Sequence, residues 1–176
     1  MQVTSNSQTD CERLPEQQNL LMNGGANMEA ENEQEHLALL LAATRGCADR
    51  VKLLMDGGAD TEAKDEQGLT ALICAAFNGY IDCVWLLMNG GANKEAKENF
   101  GFTGLMLAAN NGHADCVRLL MNGGADVEAT NVRGETALTL AAAYGHTDCV
   151  QLLLSSRANK DATDRRENTA LVYAIV

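Results

Sequence analysis

The heptapeptide LMNGGAN occupies residues 21–27 and returns unchanged at residues 87–93. Two close variants complete the set, LMDGGAD at 54–60 and LMNGGAD at 120–126. The alanine that follows each glycine pair recurs every 33 residues, and Ala158 continues the series. A fixed period of this size marks a chain built from stacked structural repeats.

A single unit, residues 65–97, shows what each repeat contains. Apolar residues recur at helical spacing from Thr70 to Asn78, and Gly79 provides a stop in the left-handed conformation. A second helical pattern follows from Ile81 to Asn89 and ends at a glycine pair, after which the connector has no helical periodicity. The sequence therefore predicts a helix, a tight turn, a second helix and an extended connector, with stacked neighbours supplying the core.

Composition limits the classes of function. The chain has 176 residues, of which 46% are hydrophobic and 4% aromatic, with a single proline and a net charge of −11. Such a core must be built from leucine, alanine, valine and methionine. A negative surface argues against nonspecific binding to nucleic acid or anionic lipid, because both require positive charge.

The sequence contains no recognisable signal for secretion or for membrane insertion. The first ten residues are polar, and the longest apolar run, LALLLAA at 37–43, is far shorter than the roughly 20 residues that span a bilayer. We therefore expect a soluble, intracellular protein located in the cytoplasm, without membrane insertion.

Two recurring motifs identify a resemblance. The first reads TALICA at 70–75, TGLMLA at 103–108, TALTLA at 136–141 and TALVYA at 169–174. It resembles the ankyrin motif T-P-L-H-x-A, without its proline and histidine in any copy. The second is the V-x-L-L pattern of the second helix, which begins at Val51, Val84, Val117 and Val150. The resemblance covers residues 20–176 and implies an all-α ankyrin repeat solenoid of stacked helix-turn-helix units with extended β-turn fingers.

The same register defines the expected domain organisation. Residues 1–19 keep no helix pattern and are expected to be degenerate or disordered, and the array then begins with a half repeat. A chain that stops inside a first helix suggests a piece of a longer array or a truncated gene product. The expected units are a half repeat at 20–31, a weak repeat at 32–64, repeats at 65–97, 98–130 and 131–163, and an incomplete repeat at 164–176.

The cysteines are expected to be structural. Cys83, Cys116 and Cys149 occupy one column of the second helices. Neighbouring repeats stack at about 8–10 Å, too far for a disulfide, which needs Cα atoms within about 7 Å, or for a shared zinc ion. Buried, reduced thiols are expected in this column and at Cys74. Metal or redox chemistry on the cysteines remains an alternative that thiol titration and metal analysis would decide.

No catalytic constellation accompanies them. The sequence lacks a phosphate-binding loop, a nucleophile elbow and a zinc-protease motif, so we expect no catalytic residues, no metal site, no cofactor and no small-molecule substrate. His113 and His146 follow helix-ending glycines and are expected to have a local structural role. An acidic column is interpreted as a solvated stripe; it consists of Glu29, Glu62, Glu95, Glu128 and Asp161.

Positions that vary between copies are candidates for partner recognition, since the constant positions specify the stack. The resemblance to ankyrin arrays implies that the connector tips and the ends of the first helices line a concave binding face. All three phenylalanines of this chain fall at such positions, and aromatic residues are frequent interface anchors. The candidate residues are Phe77, Asn78, Phe100, Phe102, Asn110, Asn111, Arg133 and Tyr144. Trp85, in a polar column on the outer helices, is a secondary surface candidate.

The sequence therefore predicts a noncatalytic module or scaffold that binds another protein on its concave face. An alternative is that the array is the targeting arm of a larger enzyme, such as a kinase or ubiquitin ligase, whose catalytic part lies outside this chain. Fold alone does not choose between them, and the sequence does not identify the partner.

Overall fold

The structure, a computed structural model, describes residues 37–174. The segment at 1–19, the half repeat at 20–31 and the first part of the weak repeat lie outside this range. Within it the chain is helical, with no strand. The helices are α1 (37–44), α2 (Ala48–Asp56), α3 (Ala71–Asn78), α4 (Ile81–Asn89), α5 (Gly104–Asn110), α6 (Ala114–Asn122), α7 (Ala137–Ala143), α8 (Thr147–Ser155) and α9 (Ala170–Ala174).

The helices form two layers. The first helices of successive units, α3, α5, α7 and α9, contact one another in order, and the second helices, α2, α4, α6 and α8, do the same. The first helices α3, α5 and α7 also pack on the second helix of their own unit. The core lies between the layers and consists of small and branched side chains, as the near absence of aromatic residues predicts. The fold is thus the predicted all-α solenoid.

Threonine begins the first helices. The backbone N–H of Ile73 donates to Oγ1 of Thr70 at 3.4 Å, and equivalent bonds of 3.3 Å start α5 at Thr103 and α7 at Thr136. Thr139 adds a reciprocal bond, since its hydroxyl accepts from the backbone N–H of Thr136 at 2.8 Å. Thr136 and Thr139 therefore form a capping box at the start of α7.

Glycine ends the second helices through a left-handed residue. At the end of α4, Gly91 has φ +87°, and the N–H of Ala92 donates to the carbonyl oxygen of Leu87 at 3.0 Å. This six-to-one bond is the Schellman arrangement. At the end of α8, Arg157 occupies the glycine position with φ +68°, and the N–H of Ala158 donates to Leu153 at 3.1 Å. The turn is kept although the residue carries a Cβ atom.

Four short turns project from the helical layers, and we call residues 65–69, 98–102, 131–135 and 164–168 the fingers. One side chain in each finger accepts hydrogen bonds from two N–H groups of the same finger: Asp65, Glu98, Asn131 and Asp164. Adjacent fingers are joined by a main-chain bond, such as that from the N–H of Val132 to Phe100 at 2.9 Å. The fingers therefore form a continuous row along the stack.

A ring from each repeat packs on a glycine of the preceding repeat. A Cβ atom added to Gly79 would lie 2.5 Å from Nδ1 of His113, and one added to Gly112 would lie 2.6 Å from Nδ1 of His146. The other ring nitrogen, Nε2, lies 3.0 Å from the carbonyl oxygen of Phe77 in His113 and 2.9 Å from that of Asn110 in His146. The expected structural role of these histidines is thus to join repeats.

The acidic column is also part of the stack. Oε1 of Glu62 accepts from the backbone N–H of Asn93 at 2.7 Å, and Glu95 and Glu128 make the same bond to the next unit. These side chains are exposed, as the predicted solvated stripe requires. The prediction did not include their hydrogen bonds to the next repeat. Each carboxylate stabilises the connector of the following repeat.

The prediction that the cysteines in the second helices are buried and reduced is confirmed. Cys83, Cys116 and Cys149 are buried with free thiols, as is Cys74 in the first-helix layer. Burial, with the nearby carboxylates of Asp82 and Asp115, raises the pKa of Cys83 and of Cys116 to about 11. These thiols stay protonated at neutral pH and are poor nucleophiles.

The substitution Arg157→Gly should stabilise the protein by about 1 kcal/mol, because a left-handed residue with a Cβ atom carries strain that glycine avoids. Urea unfolding should show a higher midpoint with an unchanged slope. Arg157→Ala is the matched control, since it removes the long side chain but keeps the Cβ atom, and it should give no such gain. Equal gains in both variants would show that the guanidinium, and not the backbone conformation, is unfavourable.

Alkaline pH should destabilise the array through its buried thiols. The pKa of Cys83 and Cys116 rises from the ordinary value of 9.0 to about 11 on folding, so the folded state holds these protons longer. Their contribution is fully present below pH 9 and is lost as the pH approaches 11, on the order of 1 kcal/mol per pH unit for each thiol. Urea midpoints measured from pH 8 to 11 test this. The Cys83→Ala, Cys116→Ala variant should lose less stability over that interval; an identical slope would contradict the assignment.

Candidate partner-binding face

Four of the candidate residues and their neighbours line a cavity formed by the first helices and the fingers. Its volume is about 550 Å³, and we call it the aromatic cavity. The lining is mainly apolar and comes from α1, α3, α5 and two fingers. The lining residues are Leu37, Leu40, Leu41, Thr44, Asp65, Leu69, Cys74, Phe77, Asn78, Glu98, Phe100, Phe102 and Leu107.

Two of the rings are largely exposed to solvent. Phe77, at the end of α3, is 46% exposed, and Phe100, at the tip of its finger, is 65% exposed. A side chain holds the backbone of each phenylalanine. The carbonyl oxygen of Phe77 accepts from Nδ2 of Asn111 at 2.8 Å, and the N–H of Phe100 donates to Oε1 of Glu98 at 2.9 Å. The rings are thus presented on a fixed backbone.

Phe102 occupies a different environment. Its side chain is half-buried and packs against the hydrophobic core, as Leu69 does at the same position of the preceding finger. Asn78 also has an internal partner, because its Nδ2 donates to the carbonyl oxygen of Cys74 at 2.9 Å. Phe102 and Asn78 therefore form the base of the aromatic cavity, while Phe77 and Phe100 are its exposed walls.

The next candidates along the face have structural partners and are not among the lining residues. Nδ2 of Asn110 donates to Oδ1 of Asn111 at 2.9 Å, and Asn111 in turn donates to Phe77 of the preceding repeat. Arg133 lies on the next finger, where its guanidinium is 3.9 Å from Glu135. The asparagines thus position the wall of the aromatic cavity.

Tyr144 and Trp85 lie elsewhere. Tyr144 is 63% exposed and lines a separate groove of about 780 Å³ formed by α7, α8 and α9, together with Leu171 and Tyr173. Trp85 is on α4 and is 54% exposed, so its predicted exposure on the outer layer is confirmed. Four of the candidates named from the sequence share the aromatic cavity, and the other five lie outside it.

The aromatic cavity offers apolar contact rather than reactive groups. The residue Cys74 lines it, but burial raises the pKa of its thiol. Within residues 37–174, no three His, Cys, Asp or Glu side chains gather closely enough to hold a metal ion. In the same range no helix is long and apolar enough to cross a membrane.

Sequence reasoning did not identify the contribution of α1. Leu37 and Leu41 are exposed and line the aromatic cavity together with the rings. Leu37 stands one period before Thr70, at the position where other repeats place their capping threonine. The signal was therefore present as a departure from the repeat, an apolar residue at a position that is otherwise polar.

Comparison with known proteins assigns the family. A family model described as "Ankyrin repeats (3 copies)" matches residues 12–98 and 105–176, which is most of the chain. No curated protein matches it significantly. With the period, the paired helices and the finger row already established, the chain belongs to the ankyrin-repeat family.

Proposed function

We propose that this chain is a noncatalytic module that binds another protein at the aromatic cavity. Ankyrin repeats are generally protein–protein interaction modules. The observation that carries the proposal is the exposure of Phe77 and Phe100, which both line one apolar cavity. Exposed apolar residues that are contiguous, rather than scattered singly, are typical of interaction sites.

The surrounding surface supports a protein partner. The volume of the cavity, about 550 Å³, lies within the range of about 300–1,000 Å³ typical of ligand-binding pockets, and its mainly apolar lining includes polar finger residues. An apolar centre with a polar margin is how protein interfaces concentrate their binding energy. The net charge of −11 disfavours nucleic acid and anionic lipid as alternatives. A cytoplasmic location stays a prediction from the sequence.

The test requires a partner that contacts this surface. A photo-crosslinking amino acid placed at Phe100 in the full chain should capture a partner in source cells, and the same group at Lys52, on the outer surface of α2, should not capture it. Capture from Lys52 alone would move the interface to the outer helices, where Trp85 also lies.

Replacing both exposed rings, Phe77→Ala with Phe100→Ala, should weaken binding of that partner by more than about 2 kcal/mol, roughly thirtyfold. Isothermal titration of the wild type and the variant measures the change. Lys52→Ala and Trp85→Ala are the controls and should bind normally. Unchanged affinity in the double variant would exclude the aromatic cavity as the interface.

The two phenylalanines of one finger should respond differently in stability. Phe102→Ala should cost about 2–4 kcal/mol, because its ring packs against the core, whereas Phe100→Ala should cost less than about 0.5 kcal/mol. Urea unfolding of the two single variants measures this difference. Similar losses would show that Phe100 also belongs to the core, and a partner would then have only Phe77 as an exposed ring.

A further inference from the structure

The charge around the aromatic cavity indicates the chemistry of its partner. Two of its lining residues are ionisable carboxylates, Asp65 and Glu98, one in each of two consecutive fingers. The lining contains no lysine, arginine or histidine. An apolar cavity with acidic groups on its wall presents a negative potential to whatever enters it.

Each of these carboxylates keeps one oxygen free of the finger turn. Oδ1 of Asp65 accepts from the N–H groups of Gln67 and Leu69 at 2.9 and 2.8 Å. Oε1 of Glu98 accepts in the same way from Phe100 and Phe102 at 2.9 and 2.8 Å. The second oxygen of each group takes no part in these turns, and both side chains are half-buried.

The turn itself does not require a charge. Asn131 occupies the same position in the next finger, and its Oδ1 accepts from Arg133 and Glu135 at 2.8 and 3.1 Å. A neutral amide therefore performs the backbone task that Asp65 and Glu98 perform. An acid occupies this position in three of the four fingers, at Asp65, Glu98 and Asp164, and the first two of these line the aromatic cavity.

The nearest basic residues have other contacts. Nζ of Lys64 donates to the carbonyl oxygen of Lys97 at 3.1 Å, and Nζ of Lys97 donates to Thr130 at 2.8 Å. Arg133 lies beside Glu135 on the following finger. Arg45, which follows α1, is exposed and is the remaining cation next to a lining residue. None of these side chains lines the aromatic cavity, so the ionisable side chains that a ligand would meet on its wall are the two carboxylates.

We propose that the aromatic cavity binds a peptide segment in which a large apolar side chain, such as leucine, methionine or phenylalanine, is flanked by lysine or arginine. The apolar side chain enters between Phe77 and Phe100, and the flanking cation lies against Asp65 and Glu98. This inference rests on the proposed function and adds the class of partner to it. Acidic and phosphorylated segments are disfavoured, since like charges at an interface oppose binding.

A displayed library of random peptides, selected on the full chain and counter-selected on the Phe77→Ala, Phe100→Ala variant, tests the proposal. Peptides that depend on the two rings should carry lysine or arginine within two positions of an apolar residue. Ring-dependent peptides with acidic or neutral flanks would overturn the inference while leaving the proposed function intact. A selection without ring-dependent peptides would overturn both.

Variants that remove the two negative charges then isolate the electrostatic contribution to peptide binding. The Asp65→Asn, Glu98→Gln variant keeps the acceptors of both turns and should fold normally. It should bind a selected basic peptide about three- to tenfold more weakly, with a smaller dependence on salt. The same peptide with glutamine in place of its basic flanks should bind both proteins equally. Asp148→Asn, in the first turn of α8, is the matched control and should leave affinity unchanged.

Two outcomes would contradict the assignment directly. Full affinity of the Asp65→Asn, Glu98→Gln variant for the basic peptide would show that these carboxylates do not contact the flanking cation. Concentration-dependent self-association of the wild type, lost in the Phe77→Ala, Phe100→Ala variant in analytical ultracentrifugation, would assign the cavity to a second copy of the chain.

Discussion

The close approach of a ring to a glycine determines how one repeat sits on the next. His113 packs where a side chain on Gly79 would be, and its Nε2 contacts the carbonyl oxygen of Phe77 two residues earlier. Both contacts need a residue without a Cβ atom in the left-handed conformation, which only glycine adopts without strain. The junction therefore holds the start of α6 against the end of α3, and His146 repeats it at Gly112 for α8 and α5.

Much of the fold could be predicted from the sequence because its determinants repeat. The period locates the paired helices, the glycine column locates their ends, and Arg157 was recognisable as a departure that the backbone nevertheless accommodates. Stacking distance alone correctly predicted that Cys83, Cys116 and Cys149 would not be joined to one another. Features that occur several times at one spacing are readable because each copy confirms the others.

The remaining features depend on the direction in which each side chain points, and a sequence pattern does not show this direction. The glutamates that join connectors bond to backbone N–H groups, and every residue except proline has one, so no side-chain partner reveals the bond. Phe100 and Phe102 are two positions apart and were indistinguishable as candidates. The turn at Gly101, with φ +83°, separates their environments, placing one ring in solvent and the other against the core.

The aromatic cavity spans more of the array than any single junction does. Its walls come from α1, from Phe77 of the following unit and from Phe100 and Leu107 of the unit after that. Repeat arrays are otherwise held by nearest-neighbour contacts, so each junction can open separately. A ligand that touches all three units at once binds only when both junctions are closed. Opening either junction would therefore also cost the binding free energy of the ligand. Amide hydrogen exchange from α1 to α5 would then slow together, as in a single cooperative unit.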